Sequence, residues 1–331
     1  MRFAFWLGLV LAACGCAANQ PVAEQPENSE QPKGPSEYSA DELCKIGQAY
    51  NASGESQKAI GVLRDSIKKD ANQIEAHYQL GLALLRLDEK KKSQVALQKA
   101  HQLDPKHRDA AVALGMTYDL EGKPAEALKI YQVAAGHHPN DCDLLHEMGN
   151  TLLMLNQADE AVTVLEKAKA LKQPSADLLG DLGYAYLLSK KAKQAVEVLK
   201  LAWAKAPERP DISMNLGRAA LVAEDAQTAV DAFTSLVEQK PDDCAAWILL
   251  ALAQVRAGRF KEAKQAADKV ISLDATRPKA YFMQAIALEG LGKKRAAGQS
   301  MKKALELDPS FAPAKDWLKK SKGKSKKKRK K

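Results

Sequence analysis

The sequence predicts an all-α chain, an α-solenoid of about eight 34-residue helix hairpins closed by a C-terminal capping helix. Three observations predict it. A small residue recurs every 34 positions: Gly47, Gly81, Gly115, Gly149, Gly183, Gly217, Ala251 and Ala285. A second small residue follows each by twelve, from Ala59 and Ser93 to Ala263 and Ala297. Between regular breaks, apolar residues fall three and four apart, as in Leu145, Met148 and Leu152, which places them on one helix face. Self-similarity at a fixed period marks a stacked-repeat architecture, in which no unit buries its apolar face alone.

Residues 1–13 stand apart from the repeats. Arg2 precedes a nine-residue apolar run, Phe3 to Leu11, and small residues follow. These are the parts of a secretory signal, and the run falls short of the roughly 20 residues a spanning helix needs. Leu11-Ala12-Ala13-Cys14 resembles the bacterial lipobox. That resemblance implies cleavage before Cys14, lipidation of Cys14, and export to a membrane-anchored position. Gly15 in place of aspartate implies an outer-membrane address in a Gram-negative cell. Several acyl chains make a stable anchor, since each buried methylene contributes about 0.8 kcal/mol.

Residues 14–39 read as a disordered tether. Pro21, Pro26, Pro32 and Pro35 alternate with Glu and Gln, and large apolar side chains are almost absent. Such a stretch cannot bury enough surface to order itself. A chain of this length reaches about 25 Å.

Residues 40–311 hold the eight units. One position before the small residue sits an apolar one in seven of them, from Ile46 to Leu250, with Gln284 departing. Sixteen positions after it comes a large apolar residue (Leu63, Leu97, Tyr131, Leu165, Leu199, Phe233), replaced by Ala267 and Met301 in the last two units. Gly or Ala at the recurring position predicts close approach of helix backbones. Pro105, Pro139, Pro207, Pro241 and Pro309 end units, because proline cannot continue a helix interior. Asp41, Glu75, Asp109, Asp143, Asp177 and Asp211 open first helices, where a carboxylate meets the positive end of the helix dipole. Residues 312–320, with Trp317 and Leu318, read as the capping helix, and 321–331 as a disordered Lys-rich tail.

The spacing resembles the tetratricopeptide repeat, whose pattern is W-x2-L-G-x2-Y, then A-x3-F, then P. The resemblance spans residues 40–311 and implies a fold of paired antiparallel helices with a partner protein held in the concave groove. By that resemblance the groove is lined from the first helices by Met116, Leu120, His146, Asn150, Met154, Tyr184, Leu188, Met214, Asn215 and Arg218. The set is apolar with a few hydrogen-bonding groups, suited to a helix or extended apolar segment. A carboxylate clamp is not expected, because the first units offer Cys44, Gln48, Gln79, Asp109 and Ala113 at the clamp positions. In architecture the chain resembles lipid-anchored repeat proteins that serve as pilotins of type IV pili and as outer-membrane assembly factors.

The net charge is +9, yet residues 319–331 carry ten Lys or Arg and no acid, so the rest is close to neutral. Lys324, Lys326, Lys327, Lys328, Arg329, Lys330 and Lys331 could meet an anionic polymer or lipid of the envelope. A nucleic-acid partner is not expected beside an export signal. Cys142 and Cys244 open units three repeats apart, about 30 Å at a helix diameter per layer. That exceeds the roughly 7 Å a disulfide allows.

Chemistry is sparse. His146-Glu147 begins like a zincin motif, but Asn150 stands where its second histidine belongs, and His137-His138 lacks further ligands. Gly323-Lys324-Ser325 ends like a phosphate-binding loop without the preceding glycine. No cofactor or metal is expected. The expectation is a non-catalytic, lipid-anchored scaffold for a partner protein in envelope, pilus or secretion assembly. Binding of an anionic polymer or lipid through the tail is the alternative, and an enzyme the least favoured class.

Overall fold

The computed structural model describes residues 37–319. Helices α1 (Ala40–Ala52), α2 (Ser56–Lys69), α3 (Ile74–Arg86), α4 (Lys90–Leu103), α5 (Arg108–Leu120), α6 (Pro124–His137) and α7 (Cys142–Met154) lie in a first compact unit that ends at Leu155. A second unit begins at Asn156. It holds α8 (Ala158–Leu171), α9 (Ala176–Leu188), α10 (Ala192–Lys205), α11 (Pro210–Val222), α12 (Ala226–Gln239), α13 (Cys244–Arg256), α14 (Phe260–Leu273), α15 (Pro278–Gly290) and α16 (Lys294–Leu307). A last helix runs over 312–319, and no strand occurs among the described residues. The fold is the α-solenoid that the 34-residue period predicts.

In the first unit each helix packs against the next in sequence, and α1–α3, α3–α5 and α5–α7 also touch. In the second unit α9–α11 and α13–α15 do the same. First helices of neighbouring repeats therefore line an inner face, and second helices line an outer one.

Glycine's role differs from the sequence expectation. What the small residue meets across the hairpin is a side chain. It makes room for the large side chain sixteen residues later in the same hairpin. A Cβ on Gly115 would lie 2.5 Å from the Tyr131 ring, and one on Gly217 2.5 Å from Phe233. Tyr131 and Phe233 are both fully buried. Where the first helix carries a Cβ, at Ala251, the facing residue shrinks to Ala267. At Ala285 it becomes the pliable Met301. A Cβ on the first helix thus goes with a smaller or more flexible side chain opposite, as a close-packed interior demands.

The hairpin turns repeat too. A left-handed residue occurs at 54, 88, 122, 156, 190, 224, 258 and 292: glycine at four of them, and Asp88, Asn156, Lys190 and Glu224 at the others. The turn geometry overrides residue preference at Lys190 and Glu224, whose side chains disfavour positive φ.

Helix starts follow their caps. Ser39 and Glu42 form a reciprocal capping box on α1, and Asp141 and Ser175 accept the backbone N–H groups of Leu144 and Leu178. Tyr38 also accepts a hydrogen bond from Lys69. The described residues therefore include contacts that precede α1; most of the tether expected over 14–39 lies outside the described residues. The acids expected at first-helix starts sit in the first turns. Three of them, Asp109, Asp177 and Asp211, are also held by arginine hydrogen bonds. Arg108 donates to both oxygens of Asp141 and to Asp109, and Arg209 joins Asp177 to Asp211. At the C-terminal end, Ala314, Trp317 and Leu318 of the last helix cover the core formed by Leu288, Met301 and Ala304. Phe311 meets Phe282 edge-on at 5.6 Å.

Candidate protein-binding surface

The residues expected to line the groove fall on first helices at four-residue steps: Met116 and Leu120 on α5, His146, Asn150 and Met154 on α7, Tyr184 and Leu188 on α9, Met214 and Arg218 on α11. Four residues is just over one helical turn, so each set forms one stripe.

In the first unit the stripe is uneven. Met154 is 50% exposed, and Leu120, His146 and Asn150 are half-buried. Met116 is not a lining residue. It is buried in a core cluster with Ala127 and Tyr131 of α6 and Leu144 of α7, because the next repeat packs over it.

Beside this stripe lies a polar cluster that ties two repeats. The Thr151 hydroxyl on α7 donates to Asp119 Oδ2 on α5 at 2.7 Å. Burial outweighs that hydrogen bond and pushes the Asp119 carboxyl up to about 7. The Tyr131 hydroxyl finds no hydrogen-bond partner among the described residues. Burial, with Glu147 and Asp119 nearby, raises its pKa well above the ordinary phenol value.

In the second unit, Leu188 is 42% exposed, Arg218 is exposed, and Tyr184, Met214 and Asn215 are half-buried. The stripe on α11 extends to a residue the sequence reading passed over. Val222 is 66% exposed and lies 34 residues after Leu188 at the same repeat position. That register was its signal. Since α9 and α11 touch, this unit presents the apolar Leu188 and Val222 together with Tyr184, Asn215 and Arg218 on one inner face. Such a face supplies apolar contact area and hydrogen-bond donors.

Cys14 and the seven tail residues from Lys324 to Lys331 lie outside the described residues. No described helix is long and apolar enough to cross a membrane. Among the described residues no three His, Cys, Asp or Glu gather as a metal site.

Comparison with known proteins agrees with this geometry. A sequence profile described as tetratricopeptide repeat matches residues 120–182, 152–218, 186–251 and 220–286, more than half of the chain. A second profile of the same description matches 74–107 and 278–311. The chain belongs to the tetratricopeptide-repeat family. No curated protein matches its sequence. Among solved structures it is similar to YrrB, described as a TPR protein with an unusual peptide-binding site. The two are 20% identical with a TM-score of 0.52, over 57% of this chain and 97% of that one. It is also similar to a tetratricopeptide repeat protein from Parabacteroides merdae, at 16% identity and a TM-score of 0.50, over 74% of this chain and 97% of that one. At these identities the likeness is one of fold, and the TPR hairpins account for it. Proteins of this family are protein-interaction scaffolds, and a protein-binding role follows for this TPR chain.

Proposed function

We propose that this TPR protein is a non-catalytic scaffold that holds an apolar helix or extended segment of a partner on its first helices. The observation that carries the proposal is the exposed apolar pair Leu188 and Val222 at one repeat position, flanked by Arg218 and Asn215. Apolar side chains exposed in register on touching helices form a patch rather than scattered exceptions. YrrB, which shares the fold, carries an unusual peptide-binding site. The same proposal puts the protein in the bacterial cell envelope, anchored through acylated Cys14, in the assembly of outer-membrane, pilus or secretion structures. It rests there on the charge, apolar run and small residues that precede Cys14.

Photo-crosslinking from Val222 in cells tests the scaffold. Crosslinks to a discrete partner are expected, and they should vanish with Leu188→Glu or with Tyr184→Glu. Crosslinks that persist in both variants would refute it. Mass spectrometry of the mature N-terminus tests the anchor: an acylated Cys14 is expected, and an unmodified one overturns it. The basic tail supports a second reading, binding of anionic polymer or lipid, which requires steep loss of association with salt.

A further inference from the structure

The outer side of the first unit carries a feature that the groove does not use. A cleft of about 840 Å³ opens between α2 and α4, the second helices of two adjacent repeats, with α3 beneath it. Its floor is apolar. Leu80 and Leu84 of α3 form the bottom, nearly buried, while Ile67 is half-buried and Val95 is 67% exposed. Its rim is cationic: Arg64 and Lys68 on α2, Lys91, Lys92 and Lys99 on α4, and no acidic residue lines it.

The helix period builds this arrangement. Lys91, Val95 and Lys99 are four residues apart, so they form one stripe of charge, apolar group and charge on the outward face of α4. The buried Leu97 and Ala100 turn to the core, and the buried Ala96 lies against the cleft floor. Two of the five cations are partly neutralised within their own helices, Lys68 by Asp65 at 2.7 Å and Lys92 by Glu89. Both pairs are exposed and contribute little. Arg64, Lys91 and Lys99 pair with no carboxylate among the described residues.

We propose that this cleft is a second docking site, separate from the inner face, for an acidic amphipathic segment of a partner protein. Charge complementarity selects the occupant. Five cations around an apolar floor favour a peptide whose apolar side chains enter the cleft while its carboxylates meet the rim. The cleft has the volume of a small-ligand pocket, which admits a few side chains. A flat bilayer surface cannot reach Leu80 and Leu84 at the bottom. An acidic segment folding as a helix would place apolar anchors one turn apart, matching the spacing of the Lys91–Val95–Lys99 stripe.

The test is fluorescence anisotropy with the full chain and a short labelled peptide in which leucines at helical spacing alternate with glutamates. Saturable binding at physiological salt is expected. A counterpart with lysine for glutamate should not bind. Lys91→Glu with Lys99→Glu should weaken binding about tenfold or more, and Val95→Asn should weaken it with the charge of the rim unchanged. Lys129→Glu, an exposed charge reversal on α6 that shifts net charge by two units against four for the α4 pair, should have no effect and controls for net charge. Val95 is exposed, so its variant folds, and circular dichroism confirms it. An affinity unchanged by the α4 variants would move the contact to the basic tail and overturn the proposal. So would equal loss with Lys129→Glu, or α4-dependent binding of phosphatidylglycerol vesicles in place of the peptide. Because these variants leave Leu188 and Val222 intact, the inner-face proposal and this one fail independently.

Discussion

Asp119 offers the sharpest physical test of the fold. Its carboxyl lies between α5 and α7, and burial moves it from the ordinary 3.8 to about 7. The folded chain therefore binds this proton more tightly than the unfolded chain. Below about pH 4 both states are protonated and nothing is lost. Between about pH 4 and 7 the unfolded chain releases the proton while the folded one keeps it, and stability falls as pH rises. Above about pH 7 both are ionised and the full penalty applies. At about 1.4 kcal/mol per pH unit, the interval amounts to about 4 kcal/mol. Asp119 as a residue is half-buried rather than enclosed, which leaves room for screening, so about 2 to 4 kcal/mol is expected. Asp119→Asn removes the ionisation and keeps an acceptor for the Thr151 hydroxyl. The assay is urea unfolding by circular dichroism at about pH 4 and about pH 8, with hydrogen exchange of α5 and α7 as the local readout. Other acids, such as Asp141 held low by Arg108, are common to both proteins and cancel in the difference. Variant and wild type should match near pH 4, and the variant should be more stable by about 2 to 4 kcal/mol near pH 8. A difference that does not change with pH refutes the reasoning.

Other substitutions probe the repeat itself. Gly217→Ala puts a methyl 2.5 Å from the rigid Phe233 ring and should destabilise by about 1 to 3 kcal/mol. Joined with Phe233→Ala it should cost less than the sum of the single changes, which a double-mutant cycle in urea measures. Glu224→Gly and Lys190→Gly relieve positive φ and should each raise stability by about 1 kcal/mol, whereas Gly122→Ala should lower it by a similar amount. Arg108→Ala breaks a bidentate bond to Asp141 and should lose about 1 to 3 kcal/mol by urea midpoint. Arg108→Lys should recover only part of this, because an ammonium cannot form the paired contact.

Much of this protein is written in one dimension. The period of 34 and the three- and four-residue apolar steps suffice for the helix pairs, because a helix's buried face is a property of spacing alone. Capping residues, prolines and first-turn acids likewise act on their own helix ends, so their places are legible from the chain. The candidate surface was legible only in part. Repeat position placed Met154, Leu188 and Arg218 on the inner side, but it could not reveal that Met116 turns into the core beside Tyr131. Val222 went unread, although its register announced it.

What tertiary structure alone decided are the relations between helices. Glycine's partner is the side chain sixteen residues on, which is why Ala251 faces Ala267. The turns impose positive φ on Lys190 and Glu224 against their own preference. The carboxyl of Asp119 is raised by what surrounds it, and the cationic cleft exists only because α2 and α4 flank α3. Spacing along the chain determines which face of a helix is apolar. Distances between helices, and so pKa values, steric limits and clefts, arise only when those faces are packed together.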